Sequence, residues 1–425
     1  MKATSWFLRG VLAVLALISG RIQAQEGEYT AVINGYDWGC AVSHVVLPLE
    51  EEVSGVNRYN YQVTVKRHHT DFALSPAAAE GERLVTYAYV SDAEGNKQPK
   101  GKHITLLLNI GPQEILSSPI QYLGGLNRWV DYQMTITNTA TKQVWGQEAN
   151  RILPEVDRFD LTGRFEYEPG KEMSYAAFSP ETDQEKAPLI IWLHGGGEGG
   201  TDPAIPLLAN RATNYAGEDI QHIFGGAYVL VPQSPTFWMQ KPDGQPTWGN
   251  GNDRWNEHLM DLIRQFVTDN PNIDQDRIYV GGCSNGGYMS IKLLLLHPDY
   301  FAASFPSASA YKAEFLTDEE VEQLSKLPIW LIHAQDDPVT KADETATPTY
   351  QRLIAAGAQD VHYSLYDHVV DITGFFGGDN FHYMGHFSWI YCHANECRLD
   401  YDGSPVTVND KPVTIMEWLA TKRRK

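Results

Sequence analysis

A chain of 425 residues, 43% hydrophobic and 11% aromatic, is long enough to bury two cores and too apolar to stay disordered. Its formal charge of −20 repels phosphate backbones and anionic lipid, which argues against nucleic-acid or membrane-surface work. The basic run that ends it, Lys422 to Lys425, reads as a solvated tail.

Residues 1–24 have a basic start (Lys2, Arg9), an apolar core from Val11 to Ile18 and a small-residue ending, Ile22-Gln23-Ala24. That is the pattern of a signal peptide cleaved before Gln25, and it predicts a secreted or periplasmic protein. The apolar part is too short for a permanent membrane anchor. The four cysteines, Cys40, Cys283, Cys392 and Cys397, are too few for a disulfide-built scaffold but suit an oxidising compartment. Cys392 and Cys397 enclose only four residues and are expected to pair. Cys392, His393 and Cys397 lack an evident fourth ligand for zinc, so no metal is expected.

Residues 25–150 read as short strands separated by Gly, Asn, Asp and Pro clusters. Tyr29 to Ile33, Ala41 to Leu47, Tyr61 to Lys66, Leu84 to Val90, His103 to Asn109 and Tyr132 to Thr137 give about six strands in roughly 120 residues, the spacing of an immunoglobulin-like β-sandwich. No Cys-Trp-Cys core is present, and nothing in this stretch suggests chemistry. The polar, Pro-containing passage Gln147 to Asp160 reads as the boundary. Beyond it, residues 151–425 open with a hairpin over Arg164 to Phe178 that turns at Glu168-Pro-Gly-Lys171. Strands and helices then alternate: Leu189 to Leu193, Ala227 to Val231, a helix from Asn256 to Thr268, Ile278 to Val280 with the helix after it, Ile329 to His333, a helix near Thr347 to Ala356, and Val361 to Tyr366. Strands joined by helices imply a doubly wound, mostly parallel sheet, here of α/β-hydrolase type, and Val413 to Thr421 reads as the last helix.

The stretch Arg277 to Pro298 carries the chemistry. A β-branched run, a glycine-dense corner and a long apolar run make strand, sharp turn and helix. At the corner stands Gly282-Cys283-Ser284-Asn285-Gly286, a G-x-S-x-G match whose glycines let one serine project above the sheet edge. A serine hydroxyl is a weak nucleophile at neutral pH, so Ser284 needs a base, an orienter for that base, and donors for the oxyanion. Leu193-His194-Gly195-Gly196-Gly197 follows a buried strand, where an H-G-G-G loop brings N–H groups over the elbow; Gly195 and Gly196, with the Asn285 N–H, are the candidate donors. The acid belongs on the loop Ala334-Gln-Asp-Asp-Pro-Val339, where Asp336 and Asp337 compete and the proline after Asp337 favours it. The base belongs downstream: His386, in Gly385-His386-Phe-Ser-Trp389, is preferred over His382 because the glycine permits close approach and Trp389 can pack behind.

LHGGGEGGTD, VGGCSNGG, IHAQDDPV and GHFSW together resemble the motifs of secreted α/β-hydrolase esterases and predicted peptidases related to the prolyl oligopeptidase and polyhydroxybutyrate-depolymerase-like groups. With the sandwich in front, the arrangement resembles two-domain esterases that carry an immunoglobulin-like N-terminal domain. The resemblance implies Ser284 as nucleophile, Asp337 as acid, His386 as base, and Asn285 with Gly196 at the oxyanion. Cys283 departs from the bulky residue common before the serine; it reads as a small buried side chain. Trp238, Trp248, Phe375 and Phe376, on Gly-rich loops, are expected to shape a pocket for a compact acyl or aryl group. The resulting expectation is a serine hydrolase of carboxylic esters, short-chain, aryl or polysaccharide-linked, that needs no cofactor. The alternatives are a peptidase of prolyl-oligopeptidase type and a non-catalytic protein that binds a polysaccharide or another protein.

Overall fold

Successive side chains of a strand point to opposite faces, and Tyr61–His68 follows that rule: Val63, Val65 and Arg67 are buried while Gln62, Thr64 and Lys66 are exposed. The buried Arg67 donates from its two terminal nitrogens to the Ala78 carbonyl at 3.0 Å and to Gln121 Oε1 at 3.0 Å. The computed structural model describes residues 27–424, so the expected signal peptide lies outside the described residues.

The first part of the chain folds into β1 (Gly27–Tyr36), β2 (Gly39–Val53), β3 (Tyr61–His68), β4 (Glu80–Arg83), β5 (Val85–Ser91), β6 (Gly101–Leu108), β7 (Ile120–Leu123), β8 (Leu126–Trp129), β9 (Asp131–Asn138) and β10 (Val144–Ile152). Eight of them form one sheet in the order β4-β3-β9-β10-β1-β2-β6-β5, with β1 antiparallel to β2 and parallel to β10. The sheet folds over so that β3 and β5 come into contact, and Val42, Val63, Leu106, Met134 and Trp145 share one apolar cluster. This is the sandwich-like form expected. The separate hairpin β7–β8 and the strand β10 were not legible; β10 is polar outward and owes its place to hydrogen bonds with β1.

The second part contains β11 (Asp160–Glu168), β12 (Lys171–Phe178), β13 (Ala187–Leu193), β14 (Tyr228–Gln233), β15 (Ile273–Cys283), β16 (Ala303–Ser307), β17 (Ile329–Ala334) and β18 (Val361–Tyr366), ordered β11-β12-β14-β13-β15-β16-β17-β18. The hairpin β11–β12 is antiparallel and turns at Gly170, with φ of 73°. From β14 to β18 all pairs are parallel. The expected doubly wound α/β-hydrolase sheet is therefore present, with one more strand than predicted. β16 (ASFPS) was missed because it is short and holds a proline, yet it is wholly buried between β15 and β17. The helix Asn256–Asp269 buries Leu259, Leu262, Ile263 and Phe266, the stripe its spacing predicts. The last helix, Ile415–Ala420, starts at a capping box of Thr414 and Glu417.

The two parts are joined by more than a linker. The helix Ala204–Ala209 lies against β1, β2 and β8, and one apolar cluster runs from Ile33 and Leu106 through Leu207 and Ala212 to Trp192. Arg211 pairs with the buried Asp37 at 2.5 Å, and Asn34 Nδ2 donates to Glu155 Oε1 at 2.9 Å.

Candidate active site

β15 ends at Cys283 and the next helix, Asn285–Leu296, begins at Asn285, so Ser284 alone makes the corner. Its φ of 54° and ψ of −110° are tolerated in a non-glycine residue only where the surroundings enforce them. The neighbouring glycines show the enforcement. A Cβ on Gly286 would stand 1.9 Å from the Leu193 carbonyl oxygen, one on Gly282 2.5 Å from the same oxygen, and one on Gly287 2.7 Å from the Ser307 oxygen. The Ser284 N–H donates to the Ser307 carbonyl at 2.9 Å, and the Ser284 carbonyl accepts from the N–H of Tyr288 at 2.9 Å and of Ala310 at 3.1 Å. Within the helix the Tyr288 hydroxyl donates to the Asp253 carboxylate at 2.8 Å, which ties it to the Gly249–Asp253 loop.

The loop after β13 is fixed by its histidine. His194 is fully buried; its Nδ1–H donates to the Gly195 carbonyl at 2.6 Å and its Nε2 accepts from the Ser234 N–H at 2.9 Å. Burial lowers its pKa to about 4, so the neutral ring is the form that makes both bonds. Gly196 then lies beside the start of the helix, where a Cβ would be 4.0 Å from Asn285 Cβ. The Asn285 side chain is turned away, its Oδ1 accepting from the Trp238 N–H at 2.5 Å, and its N–H belongs to the first helical turn, whose amides have no partner within the helix.

Asp337 and His386 meet in a second cluster, and His386 lines the same cavity as the serine. His386 Nδ1 lies 2.8 Å from Asp337 Oδ2; Asp337 is 3% exposed and His386 8%. The same carboxylate accepts from Thr340 Oγ1 at 2.8 Å and from the N–H groups of Val339 at 2.8 Å and Thr340 at 3.0 Å, and His333 Nε2 lies 3.1 Å away. Burial alone would raise the Asp337 pKa; the hydrogen bonds from His333 and His386 outweigh it and hold the carboxyl well below its usual range. Gly385 makes the approach possible, since a Cβ there would be 2.1 Å from Asp336 Oδ1 and 2.8 Å from the Asp337 nitrogen. Trp389 packs edge-on to the His386 ring at 5.4 Å. Asp336 instead pairs with His368 Nδ1 at 2.8 Å on the surface, and His382 is exposed and stacked on His368.

Ser284, His386, Gly195 and Gly196 line one cavity of about 730 Å³. Its other wall comes from the N-terminal part: Trp38, Ile115, Ile120, Tyr122 and Asn127. That wall corrects the reading of the first domain as remote from chemistry, and it replaces the aromatic loops expected there. Trp238 is fully buried in the core, and Trp248 packs against that same core with Tyr311 and Phe315 beside its loop. Phe375 is 86% exposed, and Phe376 stands behind the cavity wall, edge-on to Trp38 at 4.7 Å. Nor do Cys392 and Cys397 form a disulfide: both are buried free thiols, Cys392 facing the Tyr215 hydroxyl at 3.6 Å and Cys397 facing Tyr366. Cys283 is buried as expected, its thiol donating to Asn210 Oδ1 at 3.6 Å. His333, one turn of chain before Asp337, was missed; its position at the end of β17 was the signal available.

Residues 28–150 match the family described as esterase Ig-like N-terminal domain, and residues 176–372 match the phospholipase/carboxylesterase family. The chain is a two-domain protein, an esterase Ig-like domain followed by a phospholipase/carboxylesterase-type α/β-hydrolase domain. The chain is 28% identical over 171 residues to a poly(3-hydroxybutyrate) depolymerase of Ralstonia pickettii, an overlap of 39% of this chain and 32% of that one. The chain thus spans less than half the length of the curated relatives it matches. A crystal structure described as a thermostable esterase superposes with a TM-score of 0.72 over 93% of this chain and 99% of its own, at 24% identity, which shows a shared fold. The Ig-like domain and the hydrolase domain together therefore enclose the cavity that holds Ser284.

Proposed function

We propose that this chain is a serine carboxylesterase that works through an acyl-enzyme, and that residues 1–24 direct its export. In this reading Ser284 Oγ attacks the ester carbonyl, His386 Nε2 takes the serine proton and returns it to the leaving alcohol, and Asp337 accepts from His386 Nδ1–H. The N–H groups of Gly196 and Asn285 receive the developing oxyanion. Water then repeats the sequence and frees the acid. The observation that carries the proposal is the buried His386–Asp337 bond of 2.8 Å, which leaves Nε2 of His386 free in the cavity that the strained Ser284 also lines.

The enclosed cavity, walled by Trp38, Ile115, Phe387 and Trp389, suits a short-chain or aryl acyl group such as a hydroxycinnamoyl ester. A fluorophosphonate probe should label Ser284, and Ser284→Ala should lose both labelling and turnover of p-nitrophenyl acetate. Undiminished labelling of that variant overturns the assignment. Higher kcat/KM on a Pro- or Ala-linked anilide than on any of these esters would make the protein a peptidase.

A further inference from the structure

The turn after the H-G-G-G glycines, Gly196–Glu198, is gripped from outside its own domain. Glu198 is 4% exposed, and its Oε1 accepts from Nδ2 of Asn127, on β8 of the Ig-like domain, at 2.6 Å. Its Oε2 has no hydrogen-bond partner and lies against the loop, 2.9 Å from where a Cβ of Gly195 would stand. The Tyr122 ring of β7 covers the same turn, 3.3 Å from a Cβ built on Gly197. At the far end of β8, Trp129 Nε1 donates to Asp202 Oδ2 at 2.7 Å. On the hydrolase side the Glu198 carbonyl accepts from Gln233 Nε2 at 2.9 Å.

A carboxyl buried with one strong partner is destabilising where it sits. What it obtains here is a fixed turn: Gly195 and Gly196, the candidate oxyanion donors, line the cavity with Ser284 and lie within three residues of it. We infer that the β7–β8 hairpin, through the Asn127–Glu198 bond, positions the oxyanion-binding loop, so that the Ig-like domain sets the rate of the hydrolase domain. Glu198 and Asn127 line the cavity as well, but the role inferred for them is positional: neither takes part in the bond changes at the ester carbonyl. This inference rests on the serine-esterase reading above. Its consequence is kinetic, because donors displaced by a fraction of an ångström weaken the transition state more than the bound ester.

The test uses the full chain and p-nitrophenyl acetate, with Ser284→Ala as control. Asn127→Ala and Glu198→Ala should each lower kcat by ~10- to 100-fold with KM changed less than about threefold. The double variant should be no worse than the poorer single one, since both remove one bond. Glu198→Gln keeps an acceptor for Asn127 and should recover most of the activity that Glu198→Ala loses. The Ki of a trifluoromethyl ketone should rise in step with the fall in kcat/KM. Wild-type kcat in both alanine variants, a loss confined to KM, or additive losses overturn the inference. If Glu198→Ala does not fold, the part-buried Asn127→Ala decides it alone. Absence of Ser284-dependent turnover in the wild type would instead overturn the esterase reading.

Discussion

His333 and His386 converge on one oxygen: Asp337 Oδ2 lies 3.1 Å from Nε2 of the first and 2.8 Å from Nδ1 of the second. Two rings on one carboxylate, with Thr340 beside them, leave that oxygen no freedom to turn. Asp337→Asn should therefore lower kcat on the order of 10⁴-fold, whereas Asp336→Asn, on the surface with His368, should stay within a few-fold of wild type. Because the folded Asp337 pKa is depressed, its stabilisation is present above the unfolded value of about 4 and is lost only as pH falls further. Steady-state kinetics of the two variants from pH 5 to 9 check the ranking.

Glu198 should make stability depend on pH with the opposite sign. Its folded pKa is raised by burial to about 7, so between the unfolded value and that point the folded chain keeps a proton the unfolded chain has lost. Stability should fall as pH rises through this window, by up to roughly 3 kcal/mol, and level off above it. Glu198→Gln should lack that slope. Guanidinium unfolding of both proteins at pH 5 and pH 8 measures the difference; equal slopes would mean that the carboxyl ionises freely in the fold.

Trp38 offers a test of the cavity wall. It stacks on Tyr36 with ring centroids 4.7 Å apart and faces the cavity from the Ig-like domain. Losing an apolar contact of that size is worth about 1.5 to 3 kcal/mol. Trp38→Ala should thus lower kcat/KM for a hydroxycinnamate ester at least ~10-fold more than for p-nitrophenyl acetate. A uniform loss on both substrates would remove Trp38 from selectivity.

Four free thiols should be found. Burial pushes the Cys40 and Cys392 thiols up to about 12 and raises those of Cys283 and Cys397 further, so none is a ready nucleophile in the folded chain. Iodoacetamide should label all four in denaturant without a reductant, and few in the native state. A Cys392–Cys397 peptide that survives as a disulfide would contradict the thiol arrangement.

Much of the hydrolase sheet was legible because its chemistry is local. The elbow, the H-G-G-G loop, the Asp-Asp-Pro loop and Gly385-His386 each sit within a few residues of a strand end, where backbone geometry dictates residue type. The wall was not legible for the complementary reason. Trp38, Tyr122 and Asn127 reach the cavity only after two sheets dock, and no local period encodes that. The aromatics near Trp238 misled because a large ring next to glycines fits a core as well as a pocket; Trp238 fills the space beside His194, with ring centroids 5.0 Å apart. The thiol pair misled because four intervening residues permit a disulfide without requiring one.

The shared apolar cluster also has a consequence for synthesis. The strands of the Ig-like domain are complete at Ile152, yet the helix Ala204–Ala209 that covers β1 and β2, and the turns to Ala216 behind it, are translated later. At 5–20 residues per second the gap of roughly 60 residues lasts on the order of 3 to 12 s. Until then the surface of β1 and β2 that this helix covers has no partner from its own chain, so the first domain gains its full packing only once part of the catalytic domain has been made.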